Sequence, residues 1–328
     1  VLAVPDGNLA DLLLTSTVRA RLEPLVRLEH IEDASLLLDP PSRLAETQIL
    51  LLGWGAPELD AEVLARYPRL RLVGFAGGSC LGVVDGAAAD AAGILRTNAG
   101  EANAIPVAEY TLATILLAGT GAFASAVAYR TEQGRIDREA RMTHLGTYRM
   151  QVGIIGASRI GRRVIDLLRH HDVEVLLYDP TLTESEAREL GCTLLNLDDL
   201  VSRADVVSVH APSLPATSGM IGRHELSLMR AGTTLVNTAR GALVDQDALV
   251  EELRRGRIQA VLDVTSPDPL PAGHPLFFLE NAFLTPHVAG SLGRDIGRMG
   301  ELLASEVGRF LDGRELEWQE PPVAPSTI

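Results

Sequence analysis

The chain has 328 residues, 46% of them hydrophobic and 22% charged, with a formal net charge of −14. That length accommodates two domains with their own cores, and the acidic balance argues against nucleic acid or a membrane surface as partner, since both select a basic face. Cys80 and Cys192, with no CxxC and no His/Cys cluster, give neither a disulfide framework nor a metal site and suit a reducing cytoplasm.

Residues 1–4 read as a first strand and not as a signal peptide, and no apolar run reaches the length of a membrane span. A helical pattern covers residues 9–22. Strands recur at residues 25–28, Ile49–Leu52 and residues 70–75, with a helix over residues 59–66 that breaks at Pro68. This alternation predicts a parallel sheet with helices on its faces. Gly77, Gly78 and Ser79 follow the strand that ends at Phe75, and a Gly-rich loop at a carboxyl strand end is where open α/β sheets bind ligands. Residues 93–96 form another short strand and residues 98–103 a polar loop. A long apolar helix then runs over residues 106–120, with Pro106 in its first turn, buried between domains. Residues 130–149 are polar and without periodicity, and read as an irregular surface connection.

From Gln151 a second α/β unit begins. Val152, Ile154 and Ile155 make a buried strand that breaks into Gly156-Ala157-Ser158-Arg159-Ile160-Gly161 and then into a helix. Backbone N–H groups and the helix dipole at such a turn can hold a pyrophosphate. The next strand, Val173–Tyr178, ends at Asp179, whose carboxylate can accept hydrogen bonds from an adenosine ribose. The pattern departs from G-x-G-x-x-G at Ser158, which adds a Cβ where backbone approaches the pyrophosphate and a hydroxyl able to bond a phosphate oxygen. Further strands fall at residues 205–209, Thr234–Asn237, residues 260–263 and Ala282–Leu284, about six in all. Helices fall at residues 159–170, Glu184–Glu189, Leu197–Arg203, residues 223–229 and residues 247–255. This is one doubly wound nucleotide-binding domain. A last helix over residues 295–311 returns to the first domain, and residues 321–328, with three prolines, form a loose tail.

Polar groups stand at the strand ends of this second unit. Arg240, after Thr238 and Ala239, offers a planar charged fork that suits a carboxylate. Asp263 and Asp268 lie near one strand end. His287 is of the residue type that most often donates a proton to a carbonyl, and a neighbouring carboxylate would orient it. His210, before Ala211 and Pro212, has a supporting place at the cofactor edge. His170 and His171 sit at a helix end that explains them, and His30, His144, His224 and His274 carry no functional signal.

Residues 70–311 resemble the D-isomer-specific 2-hydroxyacid dehydrogenases, through VGIIGASRIGRRV with YDP, VNTARGALVDQDAL, LDVTSPDPLPAGHPL and LTPHVAGS. NAGEANAIPVAEYTLA resembles the family's interdomain hinge helix. The resemblance implies two doubly wound parallel-sheet domains, a larger Rossmann domain for NAD (residues 99–293) inserted into a flavodoxin-like substrate domain (residues 1–98 and 294–328). It implies hydride transfer between NAD(H) and C2 of a D-2-hydroxy or 2-oxo acid, with the active site between the domains. Arg240 would hold the substrate, His287 act as acid and base, and Asp268 partner it where the family usually has Glu. Gly156, Ala157, Ser158, Arg159, Ile160, Gly161, Asp179, His210, Ala211, Pro212, Thr217, Thr238, Ala239 and Gly290 would line the cofactor, and Asp263 would meet its carboxamide. Gly77, Gly78, Ser79 and Asn103 would bind substrate. The resemblance further implies a homodimer formed through the nucleotide domain, with no metal. The loops near Gly53-Trp54-Gly55 and Gly77 to Cys80 hold no Lys or Arg, which disfavours a phosphorylated substrate. The alternative is an NAD(H)-binding, corepressor-like regulator with little turnover; the intact Arg240, Asp268 and His287 set weighs against it.

Overall fold

A computed structural model describes residues 1–3, 7–31, 33–143 and 145–323. The chain divides into two compact units, Val1–Ala104 with Ser291–Ile328, and Ile105–Gly290. In chain order the first unit holds β1 (Leu2–Ala3), α1 (Gly7–Leu13), α2 (Ser16–Leu22), β2 (His30–Ile31), α3 (Ser42–Ala45), β3 (Ile49–Leu52), α4 (Ala61–Ala65), β4 (Leu72–Phe75), α5 (Gly86–Ala91) and β5 (Leu95–Asn98). Its five strands are parallel in the order β2-β1-β3-β4-β5, the flavodoxin-like arrangement. β3 and β4 are buried along their whole length, as the central strands of a doubly covered sheet must be.

The helix α6 (Gly100–Gly119) leads into the second unit. There follow α7 (Ala122–Glu132), α8 (Arg138–Arg141), β6 (Met150–Ile155), α9 (Arg159–Leu168), β7 (Val173–Tyr178), α10 (Glu184–Glu189), β8 (Thr193–Leu194), α11 (Leu197–Arg203), β9 (Val206–Val209), α12 (Arg223–Leu228), β10 (Thr234–Asn237), α13 (Gln246–Arg254), β11 (Gln259–Leu262) and β12 (Ala282–Leu284). The seven strands run parallel in the order β12-β11-β10-β9-β6-β7-β8. The order reverses between β6 and β9, and open α/β sheets bind ligands at that switch point. The last helix, α14 (Arg294–Leu311), belongs to the first unit. Met299, Leu303 and Val307 of α14 share a core with Leu9 and Leu13 of α1 and Val18 and Leu22 of α2. Leu37, Leu50, Leu52, Leu59 and Val73 belong to a second core cluster of that unit.

Several local expectations change. Residues 9–22 are two helices, because the Thr15 hydroxyl accepts from the Val18 N–H and starts a new one. Residues 25–28 form no strand. Leu25 and Val26 donate back to the Leu22 carbonyl as a helix-ending turn, and the edge strand is His30–Ile31. Residues 100–103 are helical, not loop: Asn98 Oδ1 accepts from the Gly100 N–H at 2.8 Å, and Pro106 lies inside α6. Including that polar turn, α6 reaches 20 residues. It is long and apolar enough to cross a bilayer by length and composition, with 56% of the tested stretch buried, where no such run was expected. Residues 130–149 include the end of α7 and α8, the latter capped by Asp137. The second sheet has a seventh strand, β8, of only two residues. Val4, His144 and residues 324–328 lie outside the described residues.

Candidate active site

Six strand ends of the second unit share one register row: Tyr178, Ile155, Val209, Asn237, Leu262 and Leu284 are successive partners across the sheet. The next residue on each strand is therefore Asp179, Gly156, His210, Thr238, Asp263 or Thr285. Parallel pairing alone brings these polar positions to one sheet edge.

At β6 the turn is backbone-tight. Gly156 has φ +97°, and a Cβ on it would lie 2.8 Å from the Ala211 backbone; a Cβ on Gly161 would lie 2.1 Å from the Gly156 carbonyl oxygen. Both positions require glycine. The position between them does not: Ser158 has φ −64° and ψ 178°, and its Oγ caps α9 by accepting from the Gly161 N–H at 3.3 Å. The serine is accommodated because the middle residue takes ordinary extended geometry. Asp179 Oδ2 accepts from the Ala157 N–H at 2.8 Å, and its Oδ1 from the Thr181 N–H and hydroxyl. Burial pushes this carboxyl up, but the Thr181 and Ala157 hydrogen bonds and the Arg162 guanidinium outweigh it and hold the group below its usual range. Arg159 is exposed and Ile160 half-buried in the core.

His210 is 3% exposed. Its Nε2 is 2.9 Å from Ser208 Oγ, and its Nδ1 is buried and has no partner among the described residues. Burial drives its pKa down to about 4, so the ring is neutral. Thr217 staples the following loop by accepting from the Leu214 N–H and donating to the Pro212 carbonyl at 2.6 Å. The Thr238 hydroxyl lies 2.9 Å from that of Thr111 on α6. Asn237 bonds the Ala239 N–H and the Arg240 carbonyl, fixing the turn after β10. Arg240 is exposed, its Nη1 donating to the Ala239 carbonyl, and among the described residues it makes no ion pair. Beyond it, a Cβ on Gly241 would lie 2.0 Å from the Thr265 carbonyl oxygen, so glycine lets this turn abut the loop that carries Asp268. Gln246 clamps that loop through both the N–H and the carbonyl of Ser266.

Asp263 is 2% exposed and organises the last loop. Its Oδ1 accepts from the Thr285 hydroxyl at 2.6 Å and the Val288 N–H at 2.8 Å, and its Oδ2 from the Ala289 N–H at 2.9 Å. Tyr110 of α6 donates to the Thr285 hydroxyl at 2.9 Å, since the Thr285 proton is already committed to Asp263. Burial, with the Asp263 charge nearby, raises the pKa of Tyr110 and keeps it a donor. Within this loop His287 takes φ +56°, uncommon for a non-glycine residue. Its Nδ1 is 2.9 Å from Asp268 Oδ2, with the two side chains 53% and 38% exposed. Among the described residues Nε2 has no hydrogen-bond partner, so one ring nitrogen is held by a carboxylate and the other is open. The shorter acid thus reaches the histidine directly.

In the first unit, Gly78 and Ser79 are exposed after β4 while Gly77 and Cys80 are buried, and Asn103 Oδ1 accepts from the Ser291 N–H at 2.8 Å. Gly290 is half-buried at the end of the second unit. Thr285, Tyr110 and Gln246 escape sequence reasoning: Thr285 stands two residues before His287 in LTPH, but no local pattern marks the other two. The turn at β6 fits a dinucleotide, because both glycines that the close approach demands are present and the first turn of α9 leaves N–H groups without intrahelical acceptors.

A model of the family described as D-isomer specific 2-hydroxyacid dehydrogenase, NAD binding domain, matches residues 114–289. D-3-phosphoglycerate dehydrogenase of Mycobacterium leprae (strain TN) is 36% identical over 312 residues, 94% of this chain and 57% of that protein. Glyoxylate reductase of Korarchaeum cryptofilum (strain OPF8) is 34% identical over 266 residues, 78% of this chain and 77% of that protein. Among solved structures, D-lactate dehydrogenase from Aquifex aeolicus, complexed with NAD and lactic acid, is similar with a TM-score of 0.72 at 26% identity, over 95% of each chain. The chain spans a little over half the length of the phosphoglycerate dehydrogenase it matches.

Proposed function

Because the chain belongs to the D-isomer-specific 2-hydroxyacid dehydrogenases, we propose that it interconverts a D-2-hydroxy acid and its 2-oxo acid with NAD(H). The observation that carries this reading is the 2.9 Å contact between His287 Nδ1 and Asp268 Oδ2, in a register that sets Arg240 on a nearby strand end. NAD(H), when bound, supplies or takes up the hydride at C2. The turn from Gly156 to Gly161 would hold its pyrophosphate, and Asp179 would accept from its adenosine ribose. Arg240 grips the substrate carboxylate and polarises the carbonyl. His287 Nε2 hands a proton to the carbonyl oxygen in reduction and takes it back in oxidation. Asp268 fixes the ring orientation and stabilises the imidazolium. The loop of Gly77, Gly78 and Ser79 receives the substrate carboxylate on the N–H groups of its exposed pair, Gly78 and Ser79.

The composition of the loops near the proposed substrate seat favours a non-phosphorylated acid over a phosphorylated one. The loops after β3 and β4 carry no Lys or Arg, and Trp54, 39% exposed, stands on the first of them. A groove of about 410 Å³ at β12 and α7, lined by Phe123, Phe277, Phe278 and Phe283, supports a homodimer formed through the second unit. The two cysteines are free and buried, which accords with a reducing cytoplasm.

The test is a screen of 2-oxo acids with NADH and with NADPH. Turnover is expected with a non-phosphorylated acid. Because Asp179 places a negative charge where a 2′-phosphate would sit, kcat/KM should be clearly higher with NADH. No turnover with any 2-oxo acid, despite NADH binding, would favour the regulator instead. Equal or better kcat/KM with NADPH would remove Asp179 from the cofactor site.

A further inference from the structure

β5 is the outer strand of the first unit's sheet, and the C-terminal segment pairs with it antiparallel. Gln319 bridges Thr97, the Glu320 N–H donates to the Arg96 carbonyl at 2.8 Å, and Thr97 Oγ1 donates to the Trp318 carbonyl at 2.9 Å. Glu306 of α14, 1% exposed, accepts from the N–H groups of Glu317 at 3.2 Å and Trp318 at 3.0 Å. The segment therefore covers an open sheet edge and is held on two sides.

Its Glu320 reaches the loop after β4. That side chain is 13% exposed, and its Oε1 accepts from the Cys80 N–H at 2.6 Å and from Asn98 Nδ2 at 2.9 Å. Its Oε2 lies 3.7 Å from Nη1 of Arg96, itself 5% exposed and paired with Asp90 at 2.8 Å. Cys80 is buried, with its thiol donating to the Thr97 carbonyl at 3.3 Å. At the other end of the loop, the Gly77 N–H donates to the Phe75 carbonyl at 2.9 Å. The exposed pair Gly78 and Ser79 is thus slung between two fixed points, one of them set by a residue 240 positions away.

We infer that Glu320 is a positioning residue for substrate binding: it locks the loop after β4 so that the exposed N–H groups present a fixed cradle to the substrate carboxylate. This rests on the reading of that loop as the substrate's seat. Backbone donors bind an anion well only when they are aimed beforehand, and a charged acceptor anchors an N–H more strongly than a neutral one. Arg96 beside Glu320 offsets its charge, so an anion approaching the loop does not face an unopposed carboxylate. Asn98 also starts α6 through its Oδ1, so the same carboxylate steadies both the loop and the head of that helix.

Three variants test this: Glu320→Ala, Glu320→Gln and Gly78→Val. A Cβ on Gly78 meets nothing within 4 Å, so valine there leaves the loop intact and occupies the space where substrate would approach. Glu320→Ala is expected to raise KM for the best 2-oxo acid on the order of tenfold, the effect of losing a charge-assisted hydrogen bond. Its kcat, and its NADH affinity by fluorescence titration, should stay within about twofold, the mark of lost ground-state binding. Glu320→Gln keeps an acceptor for Cys80 and should recover most of the loss. Should Glu320→Ala fail to fold, Glu320→Asp, shorter by roughly 1.5 Å, takes its place with the same expected rise in KM. An unchanged KM in the folded variant, with KM raised in Gly78→Val, would overturn the inference and leave Glu320 as an edge contact only. If Gly78→Val itself leaves KM unchanged, the loop is not the substrate's seat, and both readings fall together.

Discussion

Asp263→Asn is the most searching perturbation, because it preserves shape while removing charge from a buried acceptor of three hydrogen bonds. The asparagine Oδ1 can still accept from the Thr285 hydroxyl and the Val288 N–H. Its Nδ2, however, replaces the oxygen that sits 2.9 Å from the Ala289 N–H, so a donor faces a donor at a residue 3% exposed. A buried donor left without an acceptor costs about 1–3 kcal/mol, and the two surviving bonds lose roughly half their strength when the acceptor becomes neutral. The sum is a destabilisation of about 3 kcal/mol, before any relaxation. The loop concerned holds His287 at φ +56°, a conformation that persists only while its surroundings enforce it. A loosened loop misplaces the ring by a fraction of its working distance, so kcat/KM for 2-oxo acid reduction should fall roughly 10²-fold. Urea unfolding followed by fluorescence, paired with steady-state kinetics, measures both effects. Thr285→Val, which removes one of the three donors instead of the acceptor, should show a smaller loss of the same kind. An Asp263→Asn variant with an unchanged urea midpoint and parental kcat/KM would show that the carboxylate does not organise this loop.

Arg240→Ala should lower kcat/KM roughly 10²–10³-fold while NADH affinity holds, as expected when the partner of a carboxylate is removed; near-parental turnover would place the substrate elsewhere. His287→Ala should abolish most turnover in both directions. Asp268→Asn weakens the charge-assisted contact that holds the ring, so kcat/KM should fall about tenfold; parental kcat/KM would separate the two residues. His210 makes a prediction about stability. Its folded pKa of about 4 lies below the ordinary histidine value of 6.5, so the unfolded chain binds the proton first. Its contribution is therefore intact above pH 6.5 and is lost as pH falls from there to 4, by about 3 kcal/mol at the end of that window. His210→Gln lacks that loss, so the difference between the two stability curves should change across the window, and parallel curves would refute it.

The sequence by itself determined six of the seven strands of the second unit and the turn at Gly156. Those depend on hydrophobic runs and on backbone sterics within a few residues. It also supplied Asp268 and His287, because the motifs LDVTSPDP and LTPH carry them at recognisable distances from strand ends. Where a short-range signal met a competing tertiary contact, it misled. Pro106 reads as the start of a helix, yet the Asn98 side chain begins α6 two residues on, at Gly100, and Pro106 lies inside. β2 and β8 are two residues each, too short to leave a periodicity, and exist because a neighbouring strand offers its edge. Tertiary structure alone decided which groups serve one another. Asp263 accepts from backbone N–H groups 25 and 26 positions away, and Glu320 from one 240 positions away. Such bonds join a carboxylate to backbone N–H groups that every residue but proline possesses, so no side-chain pattern announces them; only the folded path of the chain brings donor and acceptor within 3 Å.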